Sequence, residues 1–401
     1  MSPADQALKD REKRFVMQTY KRADVEFVRG EGALLFDADG NEYLDLLGGI
    51  SVASMGHCHP DIVNAVREQV GELMHASNLF YTQPMVDLAE RLSSSSLGGR
   101  VFFCNSGTEA NECAIKIARK AAYERGVENP AIISFESDFH GRTYGSLSAT
   151  PGLAKDPKLG PMLDGFKSVP FDDGAALEAA TGSDTAAIFI EAIQGEAGVF
   201  VLSDETLKLA RELCDRTGAL LIIDEIQTGI GRTGSLWAYE QGPARPDVIT
   251  SAKALGGGVA IGACITTEAA GEVLAPGDHG STFAAGPVAA SAALAVLDLV
   301  DQPEMLRRIR SLGTSLTEGL LKMNGVEAVR GRGLMLGVEL SEGINSSELN
   351  TELLSRGLVA NAPRPDSLRL LPPFILTDEQ AGRALEIISG ALSDQLSGTG
   401  S

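Results

Sequence analysis

The run "LLIIDEIQTGIGRTG", residues 220–234, ends four aliphatic residues directly on Asp224 and Glu225, with no turn residue between. A carboxylate at the rim of an apolar strand costs several kcal/mol unless a cation or a set of hydrogen bonds meets it, so the question is what meets Asp224. A second candidate is Lys253 in "DVITSAKALGGGVAIGACITTE", the one charged side chain between Asp247 and Glu268. A lysine desolvated among small apolar residues loses basicity and becomes a nucleophile toward an aldehyde. The same spacing also suits a lysine at a helix end facing solvent. The third is "VFFCNSGTEANECAIKIARKAA", in which a strand runs into Ser106-Gly107-Thr108 and a helix follows, with Ser106 and Glu109 at capping-box spacing. Such a turn is an ordinary helix start, and it is also where free N–H groups and the positive end of a helix dipole receive a phosphate.

Taken together the three pieces ask for a ligand with a phosphate for the Ser106–Thr108 turn, an aldehyde for Lys253 and a ring nitrogen that Asp224 keeps protonated. Pyridoxal 5'-phosphate carries all three groups, and an acid at its ring nitrogen strengthens the ring as an electron sink.

The elements that must position these residues follow from the pattern of short β-rich runs, "RVFFC", "AIISFE", "AAIFIEA", "ALLIID" and "DVITSA", alternating with helical stretches over about residues 100–265. This alternation predicts an α/β fold with a large, mostly parallel sheet covered by helices, and ligands collect at the carboxyl ends of such strands. Beyond Gly286 the chain changes character, with helices expected near 287–300 and 304–323 and "VRGRGLMLGVEL" as a strand pair. "DADGNEYLDL" predicts a hairpin turning at Asp39-Gly40. We therefore expect 1–50 to be an N-terminal segment packing with a smaller α+β domain at 287–401, and 51–286 to be the large cofactor-binding domain. "SSSS" at 93–96 is expected to be a loop and the closing "SGTGS" a disordered tail.

Composition narrows the partners. A net charge of −20 and a pI of about 4.7 exclude a basic face for nucleic acid or anionic lipid. No apolar run approaches the length needed to span a bilayer, and no signal-like start precedes the fold, so a cytoplasmic protein is expected. Five scattered cysteines without CxxC spacing suggest neither disulfides nor a thiolate metal site. "GHCHP" at 56–60 lacks a second ligand cluster and is expected to be a turn before a helix; no metal is expected.

The stretches "SGTEAN", "FHGRTYGSLSAT", "IQGE", "LLIIDEIQTGIGRTG", "PDVITSAKALGGG", "GDHGSTF", "VRGRGLMLGVEL" and "LRLLPP", in this order from about residue 14 to nearly 380, resemble the class III pyridoxal-phosphate-dependent aminotransferases of fold type I, with the acetylornithine-type members as the nearest pattern. The resemblance implies that Ser106, Gly107 and Thr108 hold the phosphate, Phe139 stacks on the ring, Asp224 and Gln227 meet its ring nitrogen and phenolic oxygen, and Lys253 takes the aldehyde. It implies that Arg142 grips a carboxylate distant from the reacting amine and that Arg369, paired with Glu196, binds one near the reacting carbon. Thr282 would reach the phosphate of a neighbouring subunit, with Ser281 beside the substrate, which implies a homodimer with shared sites. The implied reaction moves the δ-amino group of N2-acetylornithine to 2-oxoglutarate, as in arginine biosynthesis. Related donors, namely succinylornithine, ornithine, acylated lysine and 4-aminobutyrate, stay open, as do a decarboxylase or racemase using the same cofactor and a protein that keeps the fold without turnover. Ala192 and Ala197 around Glu196, and "AAGP" after "STF", depart from the family pattern on the substrate side.

Overall fold

The computed structural model describes residues 4–152 and 156–398. Its centre is a seven-stranded sheet in the order Val101–Cys104, Gly262–Thr266, Val248–Ser251, Leu220–Asp224, Thr185–Ile190, Ala131–Phe135, Phe166–Val169. Thr185–Ile190 and Leu220–Asp224 pair in parallel, and so do their outer neighbours, whereas Gly262–Thr266 runs antiparallel to both strands beside it. The inner strands are continuous apolar runs because both faces are covered: all six residues of "TAAIFI" are buried. "GACIT" adds a strand outside the alternating runs that the sequence shows, and all five of its residues are buried.

Helix Gly107–Glu124 covers one face with Ala110, Cys113, Ala114, Ile117 and Ala118, the spacing of one buried stripe. Helix Asp204–Thr217 starts on a Ser203 cap and stops at Gly218, whose φ of 74° a β-carbon would strain. The predicted helices appear at Pro287–Val300 and Pro303–Leu320, and the strand pair at Val326–Arg332 and Met335–Leu340. The pair joins Ser367–Leu370 and Asn361–Arg364 in a four-stranded antiparallel sheet.

The hairpin at Asp39-Gly40 joins Leu34–Asp37 to Glu42–Asp45, with Asp37 Oδ1 accepting from the N–H groups of Asp39 and Asn41. Glu42–Asp45 pairs in parallel with Leu358–Val359, so the first fifty residues and the C-terminal part share a sheet. Ser93 and Ser94 differ from the expected loop: they end the helix Gln83–Ser94, and the Ser95 and Ser96 hydroxyls bond back to Arg91 and Leu92 carbonyls. Of the expected tail, Ser397 and Gly398 end the helix that begins at Asp378, and 399–401 lie outside the described residues. Cys58 is exposed and the other four cysteines are buried. Among the described residues no helix is long and apolar enough to cross a membrane, and no cluster of metal-ligating side chains occurs.

Candidate active site

A cavity of about 390 Å³ opens at the carboxyl ends of the central strands. Its wall includes Ser106, Gly107, Thr108, Phe139, Arg142, Glu196, Asp224, Gln227 and Lys253, nine of the twelve residues singled out in the sequence. Arg369 stands behind Glu196. Ser281 touches the same end of the helix start, its hydroxyl accepting from Asn105 Nδ2 at 3.0 Å. Thr282 is exposed and is not part of the cavity wall of its own chain.

Helix Gly107–Glu124 is capped by Ser106, whose hydroxyl accepts weakly from Glu109 N–H at 3.4 Å and donates to Glu109 Oε2 at 2.7 Å. The Glu109 carboxylate also takes the Asn105 N–H. This is the ordinary cap, and the helix's first N–H groups still lack intrahelical acceptors. A β-carbon on Gly107 would lie 2.6 Å from Ile226 Cδ1, so only glycine lets these two cavity walls approach. The Thr108 hydroxyl lies 2.6 Å from Ser146 Oγ and 2.9 Å from Thr143 Oγ1, and accepts from the Arg142 N–H, which ties the Arg142 loop to the helix start. Arg142 is exposed, its guanidinium 5.4 Å from the Phe139 ring centre.

Asp224 answers its opening problem with a set of donors. Its Oδ2 accepts from Asn111 Nδ2 and from His140 Nδ1, both at 2.9 Å, and its Oδ1 accepts from the Ile226 N–H. Burial alone would favour a neutral His140, yet Asp138 and Asp224 outweigh it and push its pKa up to about 10, so the protein itself sets a proton-holding ring against Asp224. The His140 ring stacks on Phe189 at 3.8 Å. This histidine of "FHGRT" carries no signal in the sequence, because a lone His beside a glycine names no partner.

Glu191 was missed as well, although it ends "TAAIFI" as Asp224 ends "LLII" and carries the same signal. Its Oε1 accepts from Phe139 N–H at 2.7 Å and its Oε2 from Gly195 N–H at 3.1 Å, which links the Phe139 loop to the Glu196 loop. Burial, then Asp138 and Asp224, push its pKa up.

Lys253 follows strand Val248–Ser251 and opens a short 3-10 turn with a φ of 43°, a left-handed backbone that a lysine adopts only when its surroundings hold it there. Burial lowers its pKa against the opposing pull of Glu196, Asp224 and Glu191. Arg369 Nη1 donates to Glu196 Oε1 at 2.6 Å and to Gln227 Oε1 at 3.2 Å. Burial works against ionisation of Glu196, but Arg369, Lys253 and Gln227 prevail and hold its pKa below the usual carboxylate value.

The family model for class-III aminotransferases matches residues 16–392. The chain belongs to the class-III aminotransferases. This aminotransferase is 43% identical over 388 residues to an acetylornithine aminotransferase of Caldanaerobacter subterraneus subsp. tengcongensis, covering 96% of this chain and 98% of that one. It is 44% identical over 377 residues to an acetylornithine aminotransferase of Mycolicibacterium smegmatis, covering 93% and 95%. Among solved structures, the N-acetylornithine aminotransferase of Stenotrophomonas maltophilia superposes with a TM-score of 0.84 at 36% identity over 97% of this chain and 99% of that one. The ornithine aminotransferase of Toxoplasma gondii gives 0.91 at 34% identity over 96% and 94%.

Proposed function

We propose that this aminotransferase uses pyridoxal 5'-phosphate to move the δ-amino group of N2-acetylornithine to 2-oxoglutarate, giving N-acetylglutamate semialdehyde and glutamate, as a step of arginine biosynthesis. The residues present fit the cofactor. The cradle that a β-carbon on Gly107 would fill, the helix start beside it and the Asp224 carboxylate share one cavity with Lys253. Ser106, Gly107 and Thr108 would hold the phosphate, Phe139 would cover the ring, Gln227 would meet the phenolic oxygen and Lys253 would bind the aldehyde. Bound there, the cofactor supplies an electron sink for the carbon that carries the amino group.

The chain's own residues do the rest. Asp224, braced by Asn111 and His140, holds a negative charge where a ring proton has to stay. Lys253, its basicity lowered by burial, takes a proton from the substrate's amino-bearing carbon and returns it on the cofactor side. Arg142 offers a planar fork to the distant carboxylate of either substrate. Glu196 neutralises Arg369 when the reacting carbon is the unsubstituted δ-carbon of acetylornithine, and gives way when 2-oxoglutarate brings a carboxylate there. We also propose that two chains share their sites, Thr282 of one completing the phosphate site of the other, and that the chain divides at residues 50 and 286 as its sequence suggests.

The observation that carries this reading is the 2.6 Å Arg369–Glu196 pair, whose glutamate lines the same cavity as Lys253. It suits a site that must serve reacting carbons with and without a carboxylate. The curated relatives' names support the acyl donor; the likeness to the T. gondii enzyme favours ornithine as the second reading. The test is glutamate formation from 2-oxoglutarate with N2-acetylornithine, N2-succinylornithine, ornithine, N-acetyllysine and 4-aminobutyrate. The highest kcat/KM is expected for acetylornithine, and a higher value for ornithine would replace the first reading by the second.

A further inference from the structure

Arg369 is 1% exposed and carries five N–H donors, and the way its acceptors are shared out bears on how a switching pair works. Glu196 faces the two terminal nitrogens, at 2.6 Å to Nη1 and 3.4 Å to Nη2. The other edge belongs to Asn361, whose Oδ1 accepts from Nε at 3.1 Å and from Nη2 at 2.8 Å. Asn361 lies directly across from Arg369 in the register of the two neighbouring strands, so their side chains stand on the same face of the sheet. The register shifts between Asn361 and Arg364, and two residues before Asn361 the chain pairs through Val359 with Asp45 of the N-terminal sheet. Both sheets thus fix the place of this amide.

We propose that Asn361 is a positioning residue that keeps the Arg369 guanidinium aimed at the cavity while Glu196 leaves it, and so sets how well the site takes a substrate with a carboxylate at the reacting carbon. This rests on the proposed role of the Glu196–Arg369 pair.

When Glu196 moves, it withdraws the acceptors on the terminal edge. A guanidinium held only there would turn about its last bonds or follow the departing carboxylate. Held at Nε and Nη2 by one oxygen, and at Nη1 by Gln227, it keeps its plane and presents the vacated edge to an incoming carboxylate with the orientation already fixed. The amide also has the right charge. It accepts two hydrogen bonds and leaves the arginine's charge whole, whereas a carboxylate at 361 would accept the same bonds and neutralise the arginine permanently, competing with the substrate.

The test uses the cofactor-loaded enzyme and glutarate, a dicarboxylate that has the carboxylates of 2-oxoglutarate without its keto group, with Kd read by calorimetry beside KM for 2-oxoglutarate and for the amino donor. Asn361→Ala is expected to weaken glutarate and raise KM for 2-oxoglutarate by about tenfold while KM for the donor moves by less than about threefold. Asn361→Asp, which keeps shape and both hydrogen bonds, is expected to weaken glutarate at least as much while leaving the thermal midpoint near that of the parent, a result that loss of structure would not give. Arg369→Ala is the control. If it weakens glutarate and neither Asn361 variant does, Asn361 has no positioning role while the function of the pair stands. If Arg369→Ala itself leaves glutarate binding unchanged, both the pair's role and that of Asn361 fall.

Discussion

Replacing Arg232 by methionine should cost this aminotransferase about 3–5 kcal/mol of stability. The guanidinium is fully buried, and its four hydrogen bonds all go to neutral oxygens: Ser51 Oγ at 2.9 Å, Ser54 Oγ at 2.7 Å, Leu334 O at 2.9 Å and Pro372 O at 2.7 Å. These acceptors come from the Ser51 and Ser54 side chains, the turn of the C-terminal strand pair and the exit of the strand that carries Arg369. The arginine itself lies five residues beyond Gln227. One side chain therefore fixes the Gln227 loop against the strand of Arg369, with the Phe374 ring 4.6 Å away. A hydrogen bond from a charged donor contributes roughly 1.5–3 kcal/mol, so four of them are worth on the order of 6–12 kcal/mol. Against this, burying a cation without a counter-charge costs several kcal/mol, a strain visible in the arginine's pKa, which burial lowers to about 9. Methionine removes that cost but leaves four oxygens without their donor, and the difference is the predicted loss. Arg232→Lys should fall between, since its ammonium keeps the charge but has three donors for four acceptors. The assay is equilibrium denaturation followed by tryptophan fluorescence and circular dichroism in parallel. A methionine variant within about 1 kcal/mol of the parent would show that the buried charge cancels its own hydrogen bonds and would refute the reasoning.

Glu225, whose Oε2 accepts from Thr228 Oγ1 and Oε1 from the Tyr239 N–H, has its pKa raised by burial from 4.5 to about 7. The unfolded chain releases this proton first, so the stability it contributes is present below pH 4.5 and is lost as pH rises through about 7, on the order of 3 kcal/mol in all. Glu225→Gln should remove this part of the pH dependence, and denaturation midpoints of variant and parent that stay parallel from pH 4.5 to 7.5 would contradict it. Asp224→Asn keeps the shape but removes the charge facing Asn111 and His140, and should slow amino transfer roughly a hundredfold or more, about 2.7 kcal/mol, with a much smaller loss of cofactor affinity. Equal half-reaction rates in stopped flow would mean that the charge is not used. Refolding Lys253→Ala and Thr282→Ala chains together should give hybrid dimers with one intact site and activity above either parent. Activity at the average of the two, with hybrids proven by mass, would place Thr282 in its own chain's service.

The sequence by itself determined what each segment could be. "AAIFIEA", "ALLIID" and "DVITSA" are legible as buried parallel strands because a strand covered on both faces has no polar side to show, and the acids and lysine at their ends are legible because an ionic group has no other reason to sit there. The Ser106 turn, the Asp39-Gly40 hairpin and the helix at Pro287–Val300 are set by neighbours a few residues away, and local pattern was enough for them. Only the tertiary structure decided which partner each group meets. That Gly262–Thr266 enters the sheet antiparallel, that His140 rather than a ligand alone faces Asp224, that Glu191 ties Phe139 to Gly195, and that Asn361 holds the second edge of Arg369 all depend on where distant strands end in space. A carboxylate's place in the chain states that it needs a donor. Which donor arrives is a property of chain paths tens to hundreds of residues long, as with Glu42–Asp45 and Leu358–Val359, and no local spacing records it.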